Sequence, residues 1–523
     1  MKNKKWIYKA LAIVLGVTAG VGSFGACSCA NEGEIPVSLP NYAATSEIDI
    51  IGYVNPTNGD YKFEGVPMND GVDHRTVERF QEYTDAGFNI AFARYDSALP
   101  AETTKETWAT SDTKIFCDKA YESGIRKILI TDLYFDGLVE YKDGALIGTD
   151  ETARYRTQEE MDADIAERLS IYKDTLGFYG VIMLDEPVYA DFDNYALVYK
   201  SVKRALPDVF VYHNLHYASR NGLNVNRFVD ADEWTAEHGK APTLGEAYRH
   251  YLHTFLEKTG AENLSVDIYP FKDRPDDRLT TYFSNMQILR EACDAYGAEL
   301  ALTMQSICYT QGETVPYRVV NKSDMWLQMN TALGFGATSV QYYTYFPYPS
   351  YRSDSTSIGN FIDRDGNKTS VYYNGQAVNN AVRKFDEVLL NYQFQGAKMY
   401  LNSVVQNGSA SMYVGSDEMA LKNDWEHTLL KNLTLDNDAL FTTELKDEEN
   451  GLYMYMIMNA IDSLFAQNGK MRYTDCTFTA EFTGYDYVAE FDCGELRYVK
   501  LDNGKYTKSL SSGYAVYLIP LKA

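Results

Sequence analysis

The chain is short of positive charge, cysteine, histidine and long apolar runs, and each shortage removes a class of function. It carries 48 Lys and Arg against 73 Asp and Glu, a formal net charge of −25. A surface this acidic repels phosphate backbones and anionic lipid, so no nucleic-acid partner is expected. Seven cysteines are scattered through 523 residues, at Cys27, Cys29, Cys117, Cys293, Cys308, Cys476 and Cys493. They form neither a disulfide framework nor a zinc spacing. Cys476 and Cys493 are open to two readings, a bridge within the last domain or two buried thiols. His250 and His253 share a helix face but lack a carboxylate motif. His213 and His216 lie three apart on one predicted strand, so they face opposite ways and share no metal. Only one of them can look into a cleft, and His213 is the candidate. Asp363-Arg-Asp-Gly-Asn367 opens like a calcium loop but lacks the later ligands, and reads as a turn. Gly-rich phosphate loops, Gly-x-Ser-x-Gly and His-Glu-x-x-His are absent from the sequence. No metal and no cofactor are therefore expected.

One apolar run stands out, at the start. Lys2, Lys4, Lys5 and Lys9 precede Ala10–Ala19 (ALAIVLGVTA), and small residues follow. That layout is an export signal, with an apolar core too short for a confident membrane span. Phe24-Gly-Ala-Cys27 is similar to a bacterial lipobox, which implies Cys27 as the lipidated residue. Residues 1–29 then form a signal peptide, and 30–46 a polar tether. The expected location is a lipid-anchored protein at the bacterial surface, or a secreted one if unlipidated. The membrane is a partner only through that lipid.

Eight β-branched and aromatic runs follow: Ile48–Val54, Phe88–Tyr95, Ile125–Phe135, Phe178–Leu184, Val209–Leu215, Leu264–Phe271, Glu299–Cys308 and Thr338–Phe346. They recur at a mean spacing of about 41 residues, the βα repeat of a barrel. Segments with three- and four-residue apolar spacing lie between them, several closed by a glycine, as at Gly87, Gly124, Gly177, Gly260 and Gly297. The spacing predicts a (β/α)8 TIM barrel over 47–395. After it come short alternating strands at Ala397–Val404, Leu452–Met458, Thr477–Phe482, Tyr485–Phe491 and Tyr514–Ile519. They predict a small C-terminal antiparallel β-sandwich over 396–523.

The most informative stretch is Leu176–Tyr189 (LGFYGVIMLDEPVY). Its apolar run reads as a strand buried on both faces, and it ends in two adjacent carboxylates, Asp185 and Glu186, before Pro187. Acids in that position are costly unless bonded or used. In a barrel that end of a strand carries the active site. Glu186 is the candidate general acid, because a like-charged neighbour and apolar surroundings raise a carboxyl pKa. Asp267, at the end of the sixth run, is the candidate partner. Asp132 and Asp96 end the third and second runs. Arg94 is a candidate for a substrate hydroxyl or a catalytic carboxylate. Aromatics crowd the strand ends, among them Tyr53, Tyr95, Tyr134, Phe135, Tyr189, Tyr212, Tyr269, Tyr309, Tyr343, Tyr345 and Tyr348. Tyrosine joins a flat apolar face to a hydroxyl, which suits a sugar ring. Tyr53, Tyr134, Tyr269, Tyr343 and Tyr345 are the wall candidates, with Asp132 among the hydroxyl-binding ones.

Three stretches carry a resemblance: Tyr179–Pro187, Met329–Tyr345 (MNTALGFGATSVQYYTY) and Phe361–Thr369 (FIDRDGNKT). Over roughly residues 47–395 the chain resembles the clan A type of barrel glycoside hydrolase, in particular the glycosidase-like proteins of gut bacteria. The resemblance implies an enzyme that cleaves O-glycosidic bonds of an oligo- or polysaccharide by carboxylate acid/base catalysis. It departs from the pattern twice. Asp185 stands where such enzymes have Asn before the acid, and Gln305 where strand seven has its nucleophilic Glu. Gln305 is thereby a candidate for binding rather than attack. Three readings stay open: Asp267 as base or nucleophile; an Asp-Glu pair similar to that of N-acetylhexosaminidases, with Asp185 orienting an attacking acetamido group; and a silent barrel that binds glycan.

Overall fold

A computed structural model describes residues 36–42, 46–63, 66–67, 69–141, 144–219, 225–272, 278–308, 317–347, 359–401, 419–437, 439–463 and 475–523. Cys27 and the signal segment lie outside the described residues, as do Tyr309 and Tyr348. The eight apolar runs are eight parallel strands: β1 (Asp49–Gly52), β2 (Ile90–Ala93), β3 (Lys127–Thr131), β4 (Phe178–Asp185), β5 (Phe210–Asn214), β6 (Asn263–Ile268), β7 (Glu299–Gln305) and β8 (Ala337–Tyr343). Their order is β5-β4-β3-β2-β1-β8-β7-β6. The ring closes where the Leu215 amide donates to the Ser265 carbonyl at 2.8 Å, just beyond β5. This is the expected (β/α)8 barrel.

Eight helices cover the strands: α1 (Val77–Asp85), α2 (Asp112–Glu122), α3 (Gln158–Leu169), α4 (Phe192–Ala205), α5 (Leu244–Thr259), α6 (Arg278–Tyr296), α7 (Lys322–Gly334) and α8 (Ser370–Val382). Their boundaries follow local chemistry. Thr76, Ser111, Thr157 and Thr243 cap α1, α2, α3 and α5 through their hydroxyls, and Gly260 ends α5 in the left-handed conformation. The last barrel helix ends at Val382, and a short separate helix follows at Asp386–Leu389.

Nine further strands form the C-terminal region: β9 (Gln393–Leu401), β10 (Asn432–Leu435), β11 (Ala439–Asp447), β12 (Leu452–Asn459), β13 (Cys476–Glu481), β14 (Tyr487–Asp492), β15 (Glu495–Lys500), β16 (Lys505–Leu510) and β17 (Ala515–Leu521). Six make a sheet in the order β9-β11-β12-β17-β14-β15, and three make a second, β10-β13-β16. Alternation assigns the faces. Tyr455, Ile457, Val516 and Leu518 meet Phe478, Ala480 and Tyr506 of the small sheet. Met454, Met456, Met458, Tyr517 and Ile519 join the barrel core instead. The large sheet is therefore buried on both faces, which is why β12 and β17 read as unbroken apolar runs. Residues 37–42, expected within the tether, also pack here: Val37, Leu39 and Tyr42 lie against the core, and Tyr42 donates to Asp447 at 2.9 Å. Cys476 is buried and Cys493 exposed, and no disulfide joins the two.

Barrel and sandwich are joined by charge as well as by apolar packing. The buried Arg318 guanidinium holds Asp324 of α7 and Asp462 beyond β12, each at 2.7 Å. Removing one partner of a buried pair strands the other charge away from water. Asp462→Ala is expected to lower the unfolding free energy by about 3–5 kcal/mol, read by urea titration; a change below about 1 kcal/mol would show that this cluster behaves as a surface pair.

Candidate active site

Two adjacent carboxylates on a strand normally point to opposite faces. Asp185 closes β4, and Glu186 next to it takes a left-handed backbone, φ 51°, fixed by its amide donating to the Asn214 carbonyl at 2.8 Å. The turn brings both acids to the carboxyl end of the barrel. Val54 and Tyr95, just past β1 and β2, are left-handed as well, with φ 55° and 57°. Such residues cost about 1–3 kcal/mol each and gather at functional sites.

Asp185 is anchored from three other strands. Tyr53 donates to Oδ2 at 2.7 Å, Arg94 Nη2 to the same oxygen at 3.1 Å, and Asn214 Nδ2 to Oδ1 at 3.0 Å. Arg94 sits against the rings of Tyr53 and Tyr95, at 5.0 and 5.4 Å from their centres. Glu186 is the more open acid, its side chain 41% exposed. Its Oε1 lies 3.4 Å from His216 Nδ1, and Arg227 Nη1 lies 3.3 Å from His216 Nε2. The same guanidinium nitrogen lies 3.4 Å from His216 Nδ1, so it faces both ring nitrogens.

Asp267, at the end of β6, hydrogen-bonds Glu186 carboxyl to carboxyl. Such a bond needs a proton, and the surroundings place it. Burial pushes Asp267 well above the usual carboxylate range, and the charges of Glu186 and Asp185 push the same way. Burial acts upward on Glu186 too, but the hydrogen bond and charge of His216 and the bond from Asp267 outweigh it and hold Glu186 low. The pair titrates as a unit, with its shared proton on the buried partner. Behind Arg94, burial raises Asp136 to about 7.

An unbroken arc of tyrosines frames the acids. Ring centres run Tyr61–Tyr95 at 6.3 Å, Tyr95–Tyr53 at 5.6 Å, Tyr53–Tyr343 at 5.1 Å, Tyr343–Tyr269 at 5.4 Å and Tyr269–Tyr317 at 6.2 Å. Thus Glu186, Asp267, Asp185, Tyr53, Arg94, Tyr269 and Tyr343 come together.

Five other expected residues stand elsewhere. Asp132 is sealed under a two-pronged ion pair with Arg168, at 2.7 and 2.8 Å, and takes the Tyr172 hydroxyl. His213 points outward from β5 among Tyr195, Tyr199 and Phe255, and burial lowers its pKa to about 3, so it is neutral. Tyr134 donates its hydroxyl to Asp164, away from the acids. Tyr345 is 1% exposed among Tyr83, Phe88 and Phe361. Gln305 is fully buried, accepting from the Phe271 amide at 2.9 Å and donating to the Phe271 carbonyl at 2.9 Å. Its work is to hold the end of β6 against β7. The sequence reading passed over Asn214 and Arg227 and chose the wrong histidine. Parity along β5 marks the right one, since Tyr212, Asn214 and His216 share a face. Among the described residues no group of three His, Cys, Asp or Glu side chains is placed to hold a metal ion.

No protein-family model and no curated protein matches the chain. Solved structures similar to it include a family 5 glycoside hydrolase from Bacteroides vulgatus, 10% identical, TM-score 0.46, covering 93% of this chain and 90% of that one. A family 39 glycoside hydrolase from the gut symbiont Bacteroides cellulosilyticus is 13% identical, TM-score 0.44, covering 90% and 80%. An endo-beta-1,4-mannanase from Thermotoga petrophila is 10% identical, TM-score 0.38, covering 89% and 98%.

The proton on Asp267 has a stability signature. A carboxyl raised in the folded state gives stability that is complete below its unfolded pKa and is lost as pH rises through the folded one. Asp267→Asn removes that loss. The variant is expected to gain stability relative to the unmodified protein at pH 8 compared with pH 4, measured by urea titration at both values; the opposite order contradicts the protonation assigned here.

Proposed function

We propose that the protein is a glycoside hydrolase in which Glu186 is the general acid and Asp267 the store of its proton. The observation that carries this reading is the water-exposed Glu186 carboxyl beside the buried Asp267 at the barrel rim, where burial and the charges of Glu186 and Asp185 push Asp267 above the usual carboxylate range. Asp267 first passes its proton to Glu186, which then gives it to the leaving oxygen while His216 keeps Glu186 oriented; the water that completes hydrolysis returns a proton to Glu186, and from there to Asp267. Asp185, fixed by Tyr53, Arg94 and Asn214, is a stationary negative charge beside the sugar. It favours the oxocarbenium-like transition state without reorganising.

At the end of β7, where a retaining enzyme of this type would carry its second carboxyl, Gln305 is buried and bonded to the Phe271 backbone. That favours attack by the substrate's own 2-acetamido oxygen, with Asp185 receiving the acetamido N–H; its carboxylate has acceptor sites beyond those in use. The leader sequence supports export and lipid anchoring at Cys27 as the setting for this activity.

Glu186→Gln is expected to lower turnover about 10²–10⁴-fold on 4-nitrophenyl glycosides, with 2-acetamido sugars cleaved faster than their 2-hydroxy counterparts. Equal hydrolysis by variant and parent removes Glu186 as the acid. A parent protein that binds glycan yet releases no nitrophenol is a binding barrel instead.

A further inference from the structure

The arc of tyrosines runs past the acids and ends at a cavity the chemistry above does not use. Its volume is about 410 Å³, and its walls are Asn58, Asp60, Tyr61, Lys62, Tyr95 and Asp96. All six belong to the loops that follow β1 and β2, on the same end of the barrel as Glu186. The size falls within the range of small-molecule sites, about 300–1,000 Å³. The wall is built rather than incidental: the Asn58 amide donates to Asp96 Oδ2 at 2.6 Å, and the left-handed Tyr95 turns its ring between Tyr61 and Tyr53. Tyr53 in turn donates to Asp185, so one ring separates this cavity from the anchored acid.

We propose that this cavity is a second sugar-binding subsite, which holds a neutral pyranose unit of the same glycan chain whose bond lies at Glu186. The inference rests on the hydrolase reading and deepens it, since it makes the substrate an oligo- or polysaccharide rather than a single glycoside. The half-buried Tyr95 ring offers a face for the C–H side of a sugar, and the buried Tyr61 ring, tilted against it, supports that wall. Asp60 accepts, Lys62 donates, and Asn58 does both, which matches hydroxyls that are donors and acceptors at once. Burial raises Asp96 to about 7, so near neutral pH it also has a proton to offer a hydroxyl. Asp60 balances Lys62 and Asp96 is raised to about 7, so the wall carries little net charge near neutral pH, which suits an uncharged sugar.

The test compares chain lengths on one protein. The probes are the pentasaccharides of β-1,4-glucan, β-1,4-mannan, β-1,4-xylan and N-acetylchitin, each beside its 4-nitrophenyl monoglycoside. For the probe the parent cleaves, the ratio of pentasaccharide to monoglycoside kcat/KM is expected to fall tenfold or more in Tyr61→Ala. Tyr61 is buried, so the double variant Asp60→Ala/Lys62→Ala, at two exposed positions, serves as the second reading. A ratio unchanged in the double variant overturns the subsite. If the parent cleaves none of the probes, the hydrolase reading fails and calorimetry decides the subsite alone. Pentasaccharide affinity weakened tenfold in the double variant supports it. Unchanged affinity, or a parent that binds no pentasaccharide, overturns it.

Discussion

One carboxylate ties the rim together. Asp185, at the end of β4, receives hydrogen bonds from Tyr53 after β1, Arg94 after β2 and Asn214 on β5. Parallel strands are bonded along their lengths but their ends diverge into separate loops. A shared acceptor makes four of those ends one rigid unit. Glu186 depends on that unit, because its left-handed backbone is held through the Asn214 carbonyl of the same strand that supplies the Asn214 amide to Asp185. The charge on Asp185 in turn helps keep the proton on Asp267. Position and protonation of the exposed acid thus trace to one side chain.

The molecule contains other buried acids, and comparison with them explains why the rim acids differ. Asp132 is matched by Arg168 and Tyr172, and Asp324 by Arg318 and Ser463. Those acids are satisfied and closed. Glu186 faces water, and the charges that bear on Asp267 are those of two carboxylates, Glu186 and Asp185. Satisfied pairs hold structure together, whereas a proton shared between like groups is available for transfer.

The barrel was legible because its signal is periodic: eight runs, glycine-closed helices and a strand ending in two acids all follow from local sequence. The site was legible in part. Asp185, Glu186 and Asp267 end their strands, and position along a strand is enough to place them. Asp132 ends its strand too, and nothing local distinguishes it; its partner Arg168 lies 36 residues on, in α3. Gln305 was expected near substrate because of what stands there in similar barrels, yet its amide is spent on the backbone of Phe271. His213 and His216 needed parity, and Asn214 gave it. In the C-terminal region β10, β11, β15 and β16 escaped notice. The polar alternation of β16, Lys505–Leu510, resembles an exposed loop, and its partner β13 is separated from it by the β14–β15 hairpin.

The place of β17 in the large sheet has a consequence for assembly. The hairpins β11–β12 and β14–β15 are each built from neighbouring segments and can pair locally. Among the described residues only β17 joins them, bonding β12 on one side and β14 on the other. Until that strand docks, the two hairpins are separate ribbons, and the faces of α7 and α8 they cover stay wet. The barrel's outer layer is therefore completed by a segment about 170 residues beyond its eighth strand, a long-range closure of the kind that slows folding. Covering that half-built apolar surface is a task for the whole chain, not for the barrel alone.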